Sequence, residues 1–285
     1  MKQHLSQEIS SGHGFLESPR WHGGKLWLSD FFRQHVITLD GARVEEQIKV
    51  NDSPSGLGFL ADGSFLVVTM HEKSVLRVTP DGQVTTHADL SSIAPGAAND
   101  MLVTASGDAY VGNFGFDVGG GEEPRPTNIA HIAPDGTVRL VPGDVTCPNG
   151  MGILPDGRTL VVAETFAQRI SAFDCADDGS LTNYRTWAPL PEGFNPDGLC
   201  VDADGGVWFA NVFDDGPAGA FYRVEEGGEL TDTIPVDGTW AVACAFGGPE
   251  NSTLYLVCNT TSLEAFFQGI SEGHVRTADV GRHGI

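Results

Sequence analysis

Asp197-Gly-Leu-Cys-Val-Asp-Ala-Asp-Gly-Gly-Val-Trp-Phe-Ala210 is two short apolar runs separated by an Asp-Gly turn. Asp-Gly between β-type runs signals a hairpin, because both residues tolerate positive φ. The same unit recurs. Gly56-Leu-Gly-Phe-Leu60 is followed by Ala61-Asp-Gly63 and Ser64-Phe-Leu-Val-Val-Thr69, and Asn149-Gly-Met-Gly-Ile-Leu154 by Pro155-Asp-Gly157 and Thr159-Leu-Val-Val-Ala163. Lys25–Asp30, Ala109–Gly112 with its Ser106-Gly-Asp108 turn, and Ala241–Phe246 with Leu254–Cys258 complete six copies. A period of about 45 residues with strands only predicts an all-β chain, a six-bladed β-propeller spanning 1–285 as a single domain. A β-sandwich would not require self-similar units, and the lack of a long amphipathic helical pattern argues against parallel α/β sheets.

Composition agrees. The 285 residues are 40% hydrophobic, and the 37 glycines fit many short strands joined by turns. The formal net charge of −22 disfavours nucleic acid and anionic membrane surfaces as partners. No stretch approaches the ~18 apolar residues of a membrane span, and Met1–Glu8 has no apolar signal core. Five cysteines, odd in number and without a C-x-x-C pair, read as reduced thiols, which places the chain in the cytoplasm. Oligomeric state is left open.

A propeller must close its ring. The reading pairs His4–Ile9 with Gly273–Val280 on the last blade, which would leave fewer open edges. The irregular stretch Gly115–Thr127 is long enough to be a lid.

Glu17, Asn99, Asn149 and Asp197 each stand just ahead of the first apolar run of a copy. In a propeller those positions face one another at one mouth of the central channel. Two carboxylates and two amide oxygens suit one hard divalent cation: Ca²⁺ first, with Mg²⁺, Mn²⁺ or Zn²⁺ as alternatives. Zn²⁺ fits least, since no H-x-H or H-x-x-x-H pair occurs. The second strand returns to the same mouth, so Asp30, His71, Asn113, Glu164, Asn211 and Asn259 are expected to form the pocket wall. Phe114, Phe116, Phe166 and Trp240 are expected near it. The substrate contacts expected are Asn99, Asn113, His71, Asp117, Phe116 and Trp240. Gly269-Ile-Ser-Glu-Gly273 matches G-x-S-x-G, but that elbow needs a strand-to-helix turn in an α/β sheet.

Glu17-Ser-Pro-Arg-Trp21, Asn99-Asp100, Asn149-Gly-Met-Gly152, Asn195–Asp202 and Ala245-Phe-Gly-Gly248 together resemble the senescence-marker-protein/gluconolactonase/regucalcin family over nearly the whole chain. The resemblance implies a propeller with one divalent cation and a lactone-opening activity. It implies Glu17, Asn149 and Asp197 as metal ligands, Asn99 as a ligand or substrate contact, and Asp197 as general base. Family members acting on sugar lactones often carry an arginine two residues before the Asn99 position. Ala97 stands there here, which points to a less hydroxylated lactone or ester. A phosphotriesterase-type hydrolase on the same site, or a non-catalytic metal- or ligand-binding propeller, are the alternative readings.

Overall fold

The computed structural model describes residues 1–41, 43–213 and 219–285. Six sheets, each built on four antiparallel strands, form the blades, and one of them gains a short fifth strand that pairs in parallel. Blade one runs Leu16–His22, Lys25–Asp30, His35–Asp40 and Arg43–Lys49 from the channel outward. Blades two to five begin with inner strands Pro54–Phe59, Ala98–Val103, Pro148–Ile153 and Pro196–Val201. Blade six begins with Trp240–Gly247. The inner strands of all neighbouring blades touch, and that of blade six touches that of blade one, so the ring is closed.

Burial explains the sequence texture. Second strands such as Phe65–Thr69, Thr159–Glu164 and Val207–Asn211 are buried throughout. They sit between adjacent blades, so both faces are apolar and the runs do not alternate. Outermost strands such as Arg43–Lys49 are mostly exposed and read as polar.

The hairpin turns are built slightly differently from the expectation. Gly63, Gly157 and Gly205 take positive φ, but their aspartates do not. Asp62 instead accepts the Ser64 amide at 3.0 Å, and Gly63 N–H bonds Leu60 O. This is a tight turn ending in a left-handed glycine, with Asp holding the backbone through its side chain.

Ring closure joins the two chain ends. Gln7–His13 pairs antiparallel with Glu272–Asp279 as the outer strand of blade six. The closing strand therefore starts three residues later than expected. The residues ahead of it turn away: Lys2–Gln3 pairs with Leu230–Pro235 of blade five, and His4 Nε2 meets Asp232 Oδ1 at 2.7 Å. The described helices are a 3-10 turn, Thr165–Ala167, and one short helix, α1 (Leu263–Phe267), between the last two chain-order strands of blade six. No described helix is long and apolar enough to cross a membrane. All five cysteines are free. Ser271 follows a helix and precedes a strand, the reverse of the order a nucleophile elbow requires.

Glycine permits the inner strands to abut. A Cβ on Gly150 would lie 2.3 Å from Leu199 N and 2.7 Å from Gly198 Cα, backbone atoms that cannot swing aside. Gly150→Ala is expected to destabilise the fold by about 2–3 kcal/mol, read as a lower denaturant midpoint. A change below 0.5 kcal/mol would mean the blades can part at no cost.

Candidate metal centre and substrate cavity

The inner strands share a defect. Pairing with the second strand slips between Glu17 and Arg20, Pro54 and Leu57, Ala98 and Met101, Pro148 and Met151, and Pro196 and Leu199. A bulge re-aims side chains and frees residues from the ladder. Ser55, Asn99, Asn149 and Asp197 are the first residues inside it, and Glu17 stands at its edge. The four residues expected just before the strands thus lie inside them, as second residues. In blade six a slip between Ala241 and Ala243 leaves Val242 at the matching place. Glu17, Asn99, Asn149, Asp197 and Val242 line the floor of one cavity of about 940 Å³.

Blade two contributes Ser55, which the sequence reading missed. Its Oγ donates to Glu17 Oε2 at 2.6 Å, and its carbonyl accepts Ser29 Oγ at 2.6 Å. Asp100 was also missed. It lines the cavity, and its Oδ1 accepts Arg20 Nη2 at 2.6 Å, Ser18 Oγ at 3.1 Å and the Met101 amide at 2.8 Å.

These charges crowd. Burial pushes the Glu17 carboxyl up to about 7, with Asp100 adding to the rise and the Ser55 hydrogen bond opposing it. Burial pushes Asp197 well above the usual carboxylate range, and repulsion from Glu17 and Asp100 adds to it. Hydrogen bonds from Asn149 and Gly198 hold it down in part. Asn149 Nδ2 also reaches Thr165 Oγ1 at 3.4 Å, and that hydroxyl donates to Pro196 O at 2.9 Å. Asn99 Nδ2 is buried with no hydrogen-bond partner.

Among the described residues, no three His, Cys, Asp or Glu side chains are grouped to hold a metal. The acids alone therefore do not make a cage, and the amides are needed. The donor set fits a hard cation on two counts. Two carboxylates whose ionisation is opposed by burial and by each other gain most from a positive charge between them. The Asn99 and Asn149 amides each carry a neutral oxygen of the kind a hard cation takes.

This crowding sets a pH dependence. A carboxyl with a raised folded-state pKa keeps its proton between its unfolded and folded values, so metal-free stability falls as pH rises through that window, about 4.5 to 7 for Glu17. His13, His22 and His87, lowered mainly by burial, act oppositely in the same range. The clean observable is the gain in melting temperature at one fixed Ca²⁺ concentration, because the histidine contributions cancel. That gain is expected to grow from pH 5.5 to pH 8, and to vary less with pH in Glu17→Gln. An equal gain at both pH values would show that the cation does not compete with protons here.

All expected site residues except Asn113 line the cavity. Phe116 and Trp240 are buried in its wall, while Asp117 and His71 stand at its rim, the latter with Nδ1 2.8 Å from Asp52 Oδ1. Phe166 stands behind the wall, its ring 5.5 Å from Phe116 and 6.1 Å from Phe213. Part of the 115–127 loop, from Phe116 to Arg125, borders the mouth.

Asn113 is a correction. It is buried, donates to Asn128 O at 2.8 Å and accepts Thr127 Oγ1 at 2.8 Å. Asp30, Glu164, Asn211 and Asn259, expected in the pocket wall, are likewise off the cavity. They clamp backbone ahead of inner strands: Asp30 accepts Gly14 N at 2.8 Å, Glu164 accepts Thr146 N at 2.7 Å, and Asn211 accepts Asn195 N at 2.7 Å. Asn259 grips Leu16 N and O at 2.8 and 3.0 Å, tying blade six to blade one. The reason is register. Asn113 pairs opposite Ala98, not Asn99, and residues directly opposite share a face.

Comparison with known proteins identifies the family and the fold. Residues 15–260 match the SMP-30/Gluconolactonase/LRE-like region family. The chain is 26% identical over 244 residues to pentonolactonase XacC of Haloferax volcanii, covering 82% of this chain and 79% of that one. It superimposes on luciferin-regenerating enzyme with a TM-score of 0.83 at 19% identity, over 99% of this chain and 97% of the other. It superimposes on a calcium-binding protein, regucalcin, from Agrobacterium tumefaciens str. C58 with a TM-score of 0.79 at 21% identity, over 100% and 98%. At these identities the two structural likenesses establish the fold.

Proposed function

Since the chain belongs to the SMP-30/gluconolactonase/LRE-like family, we propose that it is a divalent-cation-dependent lactonase. The observation that carries the reading is the convergence of Glu17, Asp197 and the amides Asn149 and Asn99 on the floor of one deep cavity, with both carboxyls shifted upward. The named relatives add support: one is a pentonolactonase and one a calcium-binding protein.

Glu17, Asn149 and Asp197 would hold the cation, with Asn99 completing the set or meeting the substrate. When bound, the cation supplies charge stabilisation for a carbonyl oxygen and acidifies water. The protein's own residues supply the rest. Ser55 fixes the Glu17 carboxylate through its 2.6 Å hydrogen bond. Arg20 and Ser18 fix the Asp100 carboxylate beside the site by hydrogen bonds, and its proximity raises the proton affinity of Asp197. Asp197 takes the proton of the attacking water at a carboxylate oxygen and returns it to the ring oxygen that leaves. The aromatic wall excludes bulk water and strengthens these charges.

The deciding comparison is the hydrolysis rate of lactones against phosphotriesters by the cation-loaded protein. Lactones are expected to be preferred by at least 100-fold. A preference for phosphotriesters would replace the reading, and binding of the cation with turnover of neither would favour a non-catalytic propeller.

A further inference from the structure

The cavity above the carboxylates is walled by rings that belong to three separate parts of the chain. Phe15, Phe31 and Phe32 flank the first two strands of blade one, Trp240 opens blade six, and Phe266 comes from α1. The Phe266 ring lies 5.0 Å from Phe15, 5.8 Å from Phe31, 5.4 Å from Phe32 and 6.1 Å from Trp240. α1 is not a blade element and has no fully buried residue. Among the described residues, Phe266 is the one by which α1 stacks into the aromatic wall, while Leu263 and Phe267 remain about half exposed at the mouth. A cluster of aromatic rings facing a cavity is unfavourable in water and is relieved by an apolar occupant.

Three of the polar groups at the rim are already engaged. Lys73 Nζ donates to Pro95 O at 2.9 Å, His71 is paired with Asp52, and Arg125 Nε donates to Gly115 O at 2.8 Å. A polyhydroxylated lactone would lose hydration for the hydroxyls it laid against these rings, which offer them no hydrogen-bond partner. Each unpaired hydroxyl costs roughly tenfold in affinity.

Resting on the lactonase reading, we infer that the substrate is a lactone bearing a bulky apolar substituent, alkyl or aryl. Its ring lies over Glu17 and Asp197, and its substituent lies under α1 against Phe266. Phe266 is then a specificity-determining residue, and α1 is the segment that shapes the apolar end of the site.

A homologous series tests this: γ-butyrolactone, γ-hexalactone, γ-octalactone and γ-decalactone, with glucono-δ-lactone alongside, on the cation-loaded full chain. kcat/KM is expected to rise about threefold per added methylene until the cavity fills. γ-Decalactone should exceed glucono-δ-lactone by at least 100-fold. In Phe266→Ala the ratio of decalactone to butyrolactone specificity should fall at least tenfold, and Phe266→Leu should recover part of it. A change in tryptophan fluorescence of the metal-stripped protein on adding γ-decalactone, absent with glucono-δ-lactone, reads the same preference at equilibrium. A flat series with glucono-δ-lactone preferred would overturn the apolar class and leave the lactonase reading standing. No lactone turned over with any divalent cation would overturn both.

Discussion

Asp197→Asn is expected to lower kcat by about 10²–10⁴-fold at saturating cation. Asparagine keeps the shape and one oxygen donor but cannot accept a proton. In the wild-type protein, burial together with the Glu17 and Asp100 charges raises the proton affinity of Asp197, which suits a group that takes a proton from water. A bound cation opposes that shift, so the variant must be assayed over a cation titration to separate the two roles. A loss that persists at saturation assigns proton transfer to Asp197. A loss that vanishes when more Ca²⁺ is supplied makes it a ligand alone, with the cation doing the activation of water. Both outcomes are read from kcat against cation concentration.

Glu17→Gln should weaken cation binding by at least 100-fold, and Ser55→Ala by about 10–100-fold, as removal of a group behind a metal ligand typically does. The serine hydroxyl is the one group that lowers the Glu17 carboxyl against burial and Asp100. Removing it raises the proton competition for the site and frees the carboxylate to rotate. Ser55 is fully buried but small, so the alanine variant should fold, which a melting curve would check. Calorimetric titration of metal-stripped protein measures both affinities. An unchanged affinity in Ser55→Ala would show that Glu17 is held in place by packing alone.

The repeat made the fold legible. Each Asp-Gly turn is a local signal, and matching offsets across the copies carry more information than any one turn. The same offsets exposed Glu17, Asn99, Asn149 and Asp197, because long oxygen-bearing side chains at equivalent positions are conspicuous. Ser55 holds the matching place in blade two, yet Asp52-Ser-Pro-Ser-Gly56 reads as a turn. Its role lies in a contact across blades, to Glu17, that spacing alone does not reveal. Asn113, Glu164, Asn211 and Asn259 were placed in the wall because second strands return to the same mouth. The bulges broke that inference: they turn the inner-strand residue into the channel while the paired second-strand residue faces the backbone it clamps. α1 was hidden for another reason. Leu263-Glu-Ala-Phe-Phe267 is too short to show helical periodicity, and its contribution rests on one ring that meets residues about 250 positions earlier in the chain.

The most direct test is to strip the protein of metal and refill it with Ca²⁺ in sub-stoichiometric steps, following lactone hydrolysis by proton release and counting bound cation in the same samples. Activity should vanish on stripping and return in proportion to filling, reaching its plateau at one cation per chain. Hydrolysis that survives complete removal of the cation, or one full equivalent bound with no hydrolysis of any lactone, would contradict the account.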